Sequence, residues 1–130
     1  MSEVMMNRIL VKVETCLGES ESSFRKGWYE FCLNRAYYAM FHSIQALLFT
    51  SGVQAKTYER SYSKFRELFI KTNLIDIELG LRLQKAFKKK QFNEFDYKEV
   101  LAEDAQESLE DATQFVNATI QYLKENKFLQ

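Results

Sequence analysis

Proline is absent from all 130 residues, and only four glycines interrupt the chain. Proline ends a helix by removing an amide donor and clashing with the preceding turn, and glycine weakens one through its backbone freedom. With so few breakers and no sustained alternation of apolar and polar residues, the chain reads as all-α. The expected architecture is an up-and-down antiparallel bundle of four to five helices. No internal repeat, low-complexity stretch or linker divides it, so residues 1–130 are expected to form one domain.

The first helix is expected from about Ser2 to Arg25, with Val4, Ile9, Val13, Leu17 and Phe24 as a loose apolar stripe. Gly27 is its natural stop, because glycine accepts the left-handed conformation that closes helices. The second helix, about Trp28 to Thr50, carries apolar and aromatic residues on every side. In a monomer one side of such a helix would face water, so the pattern points to a subunit interface as well as a core. Its polar residues Arg35, Tyr38, His42 and Gln45 are spaced three, four and three apart and share one face. A third helix is expected from about Tyr58 to Lys71. A fourth, capped by Asp76, should run to about Lys90, and a last one from about Lys98 to Asn126. Residues 91–95 read as a loop between those two, and Asp96 followed by Glu99 reads as a capping box for the last helix.

Charge and cysteine usage narrow the function. Eighteen basic side chains balance eighteen acidic ones, so there is no basic excess of the kind that drives non-specific nucleic-acid binding. The charges are nevertheless segregated. Lys85, Lys88, Lys89 and Lys90 crowd one stretch, where a solvated helix end is the plainer reading. Glu99, Glu103, Asp104, Glu107, Glu110 and Asp111 crowd the next, and Glu107, on that acidic outer face, is expected to tolerate neutralisation. Cys16 and Cys32 lack metal-ligand spacing and read as small buried hydrophobes, so neither a metal nor a cofactor is expected. No window approaches the ~20 apolar residues of a membrane span, and the start lacks the basic-then-apolar order of a secretory signal. A cytoplasmic protein without a membrane partner is expected.

The run Asn34-Arg35-Ala36-Tyr37-Tyr38-Ala39-Met40-Phe41-His42 resembles the second-helix signature of HEPN domains, the higher-eukaryote and prokaryote nucleotide-binding superfamily. Within it, the small stand-alone prokaryotic proteins are the nearest in pattern. Ala55-Lys56-Thr57, the run Phe65 to Thr72, Leu81 to Phe87, Asp96-Tyr97 and the run Ala112 to Val116 follow in the expected order, so the resemblance covers nearly the whole chain. It implies a helical homodimer, often paired with a minimal nucleotidyltransferase as toxin and antitoxin. In its active members it implies metal-independent cleavage of RNA. There an arginine, followed after a few residues by a histidine, lies between the fourth helix and the last. The arginine holds phosphate and the histidine moves the proton of the attacking 2′-hydroxyl.

At that place this chain has Lys90-Gln91-Phe92-Asn93-Glu94-Phe95-Asp96-Tyr97, with lysine for the arginine and no histidine. Lysine meets phosphate as a point charge and not bidentately. Asp96 can act as a base, but with an ordinary value of about 3.9 it is a poor proton donor at neutral pH. The sole histidine is His42. The candidate catalytic residues are therefore Lys90, Asp96 and His42, and the candidate phosphate-binding residues Arg35 and Lys90.

Tyr97 is a candidate for the nucleotidylation that the resemblance implies near this position. Tyr37, Tyr38, Phe41, His42 and Gln45 are the expected dimer interface. Each has a plainer alternative. His42 can be a hydrogen-bonded core histidine, Arg35 half of a buried ion pair with an acid of the last helix, and the aromatic residues simple core. The function expected is a helical dimer that binds a nucleotide, RNA or a nucleotidyltransferase without strong catalysis. The alternatives are a ribonuclease toxin with a degenerate site and a purely structural adaptor.

Overall fold

The computed structural model describes residues 2–129, with the side chains of Ser2 and of residues 93–96 outside the described set. Five helices follow one another: α1 (Ser2–Arg25), α2 (Tyr29–Thr50), α3 (Tyr58–Phe65), α4 (Ile77–Asp96) and α5 (Ala102–Glu125). The fold is an all-α bundle, as the missing prolines require, and among the described residues there is no strand.

Helix α1 buries Met6, Leu10, Val13, Cys16, Ser20 and Ser23, a stripe at three- and four-residue spacing. Gly27 ends it at φ +78°, and the amide of Trp28 donates to the Ser23 carbonyl at 2.8 Å, turning the chain directly into α2. This short turn sets α1 and α2 side by side and antiparallel. Helix α2 touches α1, α3, α4 and α5. Its all-round apolar character thus has a cause inside one subunit: with neighbours on several sides, Met40, Ile44, Leu47 and Leu48 are all buried. The fully buried rings Phe65, Phe69 and Phe115 close the core around them, each contributing roughly 2–3 kcal/mol through burial.

The sequence expectations fail at three helix ends. The third helix is not regular to Lys71. It changes at Phe65 into a π turn over Arg66–Ile70, where the Lys71 amide donates to the Arg66 carbonyl and Phe69 and Ile70 stay buried. Residues 91–95 are not a loop, because α4 continues to Asp96, with nothing in Lys-Gln-Phe-Asn-Glu to break it. Tyr97, at φ +54°, is the left-handed residue that stops it. Asp96 is therefore the last residue of α4 and not the cap of α5, which starts at Ala102 after Leu101 with no side-chain cap. The lysine run consequently lies within α4 and not at its end. Lys85 and Lys89 reach the Glu107 carboxylate at 2.5 and 2.7 Å and tie α4 to α5.

Candidate functional site

The site is built on the outer edge of α2, where α1 and α4 flank it. Arg35 sits between them. Its Nε and Nη2 donate to Oδ1 of Asn34 at 2.9 and 2.6 Å, and Nη1 lies 3.6 Å from the Glu19 carboxylate. The acid facing Arg35 is thus on α1 and not on the last helix, because this side of α2 turns toward α1. The pair is also only partly buried, which leaves the guanidinium reachable from solvent. The guanidinium carbon stands 5.4 Å from the Phe31 ring centre and 5.2 Å from that of Tyr38.

Lys90 arrives from α4. The extra length of α4 beyond the expected end keeps this residue in regular helix, and its ammonium lies 5.5 Å from the Tyr37 ring centre and 5.4 Å from that of Tyr38. Two cations from two helices therefore share the electron-rich ring of Tyr38. Each such contact contributes ~0.5–1 kcal/mol at an exposed site and more when shielded from water.

The other candidates separate by burial. Tyr37 is only 4% exposed, held by Phe87 at 5.6 Å and Tyr58 at 6.1 Å, so its contacts are spent within the subunit. Tyr38 and Phe41 are half-buried. Gln45 donates through Nε2 to Oγ of Ser61 at 2.9 Å, linking α2 to α3. His42 is half-buried, with its ring 6.1 Å from Tyr38 and 5.8 Å from Phe41. Burial, then the charges of Lys12 and Arg35, hold its imidazole below the ordinary value. At neutral pH it is neutral, able to accept a proton and unable to donate one as an imidazolium.

The side chain of Asp96 lies outside the described residues. Tyr97 projects fully into solvent at the turn after α4, open to modification. Cys16 and Cys32 are free and buried, and burial raises both thiols above the ordinary value. Among the described residues no group of acids, histidines and cysteines stands together as a metal would require, and no helix is long and apolar enough to cross a membrane.

Next to Lys90 is a surface hollow of about 560 Å³, lined by Trp28, Phe31, Leu33 and Asn34 among others. Trp28 is 58% exposed and Phe31 45%. Reading the chain alone missed Asn34, Phe31 and Trp28 as site residues. Asn34 directly precedes Arg35, Phe31 lies one turn earlier on α2 and Trp28 stands just before that helix, and only the arrival of Lys90 from α4 shows that they face one place.

Comparison with known proteins agrees with this architecture. The chain matches the HEPN domain over residues 6–125. It is 32% identical over 119 residues to "Putative toxin MJ0142" of Methanocaldococcus jannaschii, covering 91% of this chain and 81% of the relative. It is 31% identical over 117 residues to a UPF0332 protein of Archaeoglobus fulgidus, covering 89% and 93% respectively. A second M. jannaschii relative, "Putative toxin MJ0605", is 27% identical over 112 residues, 86% of this chain and 84% of that one.

Proposed function

This chain belongs to the HEPN domain family, and from that premise we propose that it acts as a homodimer holding single-stranded RNA on the Arg35–Tyr38–Lys90 face, without robust cleavage. The observation that carries the reading is the Tyr38 ring with a guanidinium at 5.2 Å and an ammonium at 5.4 Å. An aromatic ring beside two cations offers what a nucleotide unit needs, a ring to stack the base and positive charge for the adjoining phosphates. Phe31, one turn earlier on α2, extends the aromatic surface, and the exposed Trp28 ring before that helix is apolar area that a second copy covers in the dimer. The toxin role named for two relatives enters with the same reading, and a minimal nucleotidyltransferase is the antitoxin partner it implies.

The test is binding of labelled single-stranded RNA across a salt series. Parent protein should bind, and Lys90→Ala should weaken binding while flattening the logarithmic salt slope by about 0.7, the share of one phosphate contact on a single strand. Tyr38→Ala should weaken binding by ~1–3 kcal/mol, one stacked base. Light scattering should return twice the 15.4 kDa chain mass. No RNA binding, or binding indifferent to both substitutions, contradicts the proposal.

A second reading, cleavage of the bound RNA, has one observation in its favour. Arg35 and His42 lie seven residues apart on one face of α2, with Tyr38 between them. Strand cleavage through the 2′-hydroxyl needs a proton acceptor and a proton donor. His42, held neutral, supplies the first, and none of the described side chains around Arg35 and Lys90 is a donor of a type matched to neutral pH.

A further inference from the structure

A separate hollow of about 540 Å³ opens where the first turns of α1 meet the last turns of α2 and the segment 53–56. Arg8, Lys12 and Lys56 line it, with His42, Phe49 and Val53. No carboxylate is among its lining residues, and among the described residues Arg8, Lys12 and Lys56 form no ion pair. Other cations of the chain do have acidic partners: Arg82 pairs with Asp111, Lys85 and Lys89 with Glu107, Lys64 with Glu67, and Arg35 with Glu19. In a molecule with zero net charge, three unneutralised cations around one concave space concentrate positive potential there.

We infer that this hollow binds a phosphomonoester carried on an apolar or aromatic group, either a free mononucleotide or the phosphorylated end of an RNA strand. A phosphodiester brings one negative charge. A phosphomonoester brings roughly 1.5 to 2 at neutral pH and suits three converging cations better. The Phe49 and Val53 side gives the attached ring an apolar wall, and the volume falls within the ~300–1,000 Å³ usual for small-molecule sites. This site is distinct from the Arg35–Tyr38–Lys90 face and stands or falls independently of it.

The single histidine makes the test direct, because His42 lines this hollow and its imidazole C–H resonances respond to an anion there, while the Lys90→Ala arm separates this hollow from the neighbouring Tyr38 face. In NMR titrations, AMP should saturate and raise the His42 midpoint by about half a pH unit or more, as an anion beside the ring favours its charged form. Adenosine should leave it in place. Arg8→Ala and Lys56→Ala, both exposed positions, should each weaken AMP about tenfold, the loss of one charge-assisted contact, while Lys90→Ala changes nothing. A 5′-phosphorylated oligonucleotide compared with its 5′-hydroxyl counterpart separates the two sources of the phosphate. The inference is overturned if millimolar AMP leaves His42 unmoved, or if adenosine moves it equally. It is also overturned if AMP binding is lost in Lys90→Ala and kept in Arg8→Ala. RNA lacking terminal phosphates that still requires Lys90 would, in those cases, leave the RNA-binding proposal intact.

Discussion

Neutralising Glu107 should destabilise the protein measurably, against the expectation drawn from its place on an acidic outer face. Its carboxylate receives Lys85 at 2.5 Å and Lys89 at 2.7 Å, one turn apart on α4, and so joins α4 to α5. The hydrogen bonds from Lys85 and Lys89 hold it down from 4.5 to about 2. At ~1.36 kcal/mol per pH unit that difference has a ceiling of roughly 3 kcal/mol. The side chain is 44% exposed, however, and solvent screens most of it. Two partly exposed ion pairs at ~0.2–1 kcal/mol each give about 1 kcal/mol for Glu107→Gln, or about 4 °C in Tm for a domain of this size.

The sign follows from linkage. The folded-state value lies below the unfolded one, so the stabilisation is complete above about 4.5 and disappears as pH falls toward 2. Urea denaturation of parent and Glu107→Gln at pH 7 and at pH 3 measures both parts. The gap between them should narrow at the lower pH. Equal stability at pH 7, or a gap unchanged by acid, would refute the reasoning. A double-mutant cycle with Lys89→Met would show a coupling of a few tenths of a kcal/mol or more if the pair is real.

Ala39 is fully buried, and Ala39→Asp should abolish folding, since an unpaired carboxylate there costs several kcal/mol of a margin of ~5–15 kcal/mol; far-UV circular dichroism of the soluble fraction checks it. Gly27 stands at φ +78°, so Gly27→Ala should cost ~1–2 kcal/mol, whereas Gly18→Ala, mid-helix with open space around a new Cβ, should gain ~0.5–1 kcal/mol by thermal unfolding. Lys12→Ala should raise the His42 midpoint toward its ordinary 6.5 by removing a repelling charge, which the imidazole resonances read directly. Because His42 is held low in the folded state, its burial costs stability only as pH falls below about 6.5.

What the amino-acid sequence disclosed depends on the range of the interaction. The bounds of α1 and α2 were legible because local signals set them: the breaker-free runs, the left-handed Gly27 and the apolar spacing of Val13 and its neighbours. The end of α4 was not, because a tyrosine in the left-handed region leaves no local mark and Asp96 followed by Glu99 imitates a cap. Likewise the stripe Arg35, Tyr38, His42 and Gln45 is a matter of helical period. That Lys90 comes to rest on Tyr38, that Glu19 answers Arg35, and that Arg8, Lys12 and Lys56 surround one hollow are consequences of packing between distant segments. The all-round aromatic character of α2 was informative about burial and ambiguous about its cause. Position at the centre of the bundle accounts for Tyr37, while Phe31 on the same helix, and Trp28 just before it, are exposed in the single subunit.

On the proposed function, the Arg35–Tyr38–Lys90 face holds RNA without cutting it. Purified protein incubated with end-labelled single-stranded RNA, beside Lys90→Ala and His42→Ala, tests it in one gel series run in native and denaturing form. A retarded complex is expected with parent protein, its loss in Lys90→Ala, and full-length RNA throughout. General acid–base assistance contributes about 10²–10⁴-fold to such a step, so its presence would be plain. Robust cleavage by the parent that disappears in His42→Ala would contradict the account and make His42 the catalytic residue.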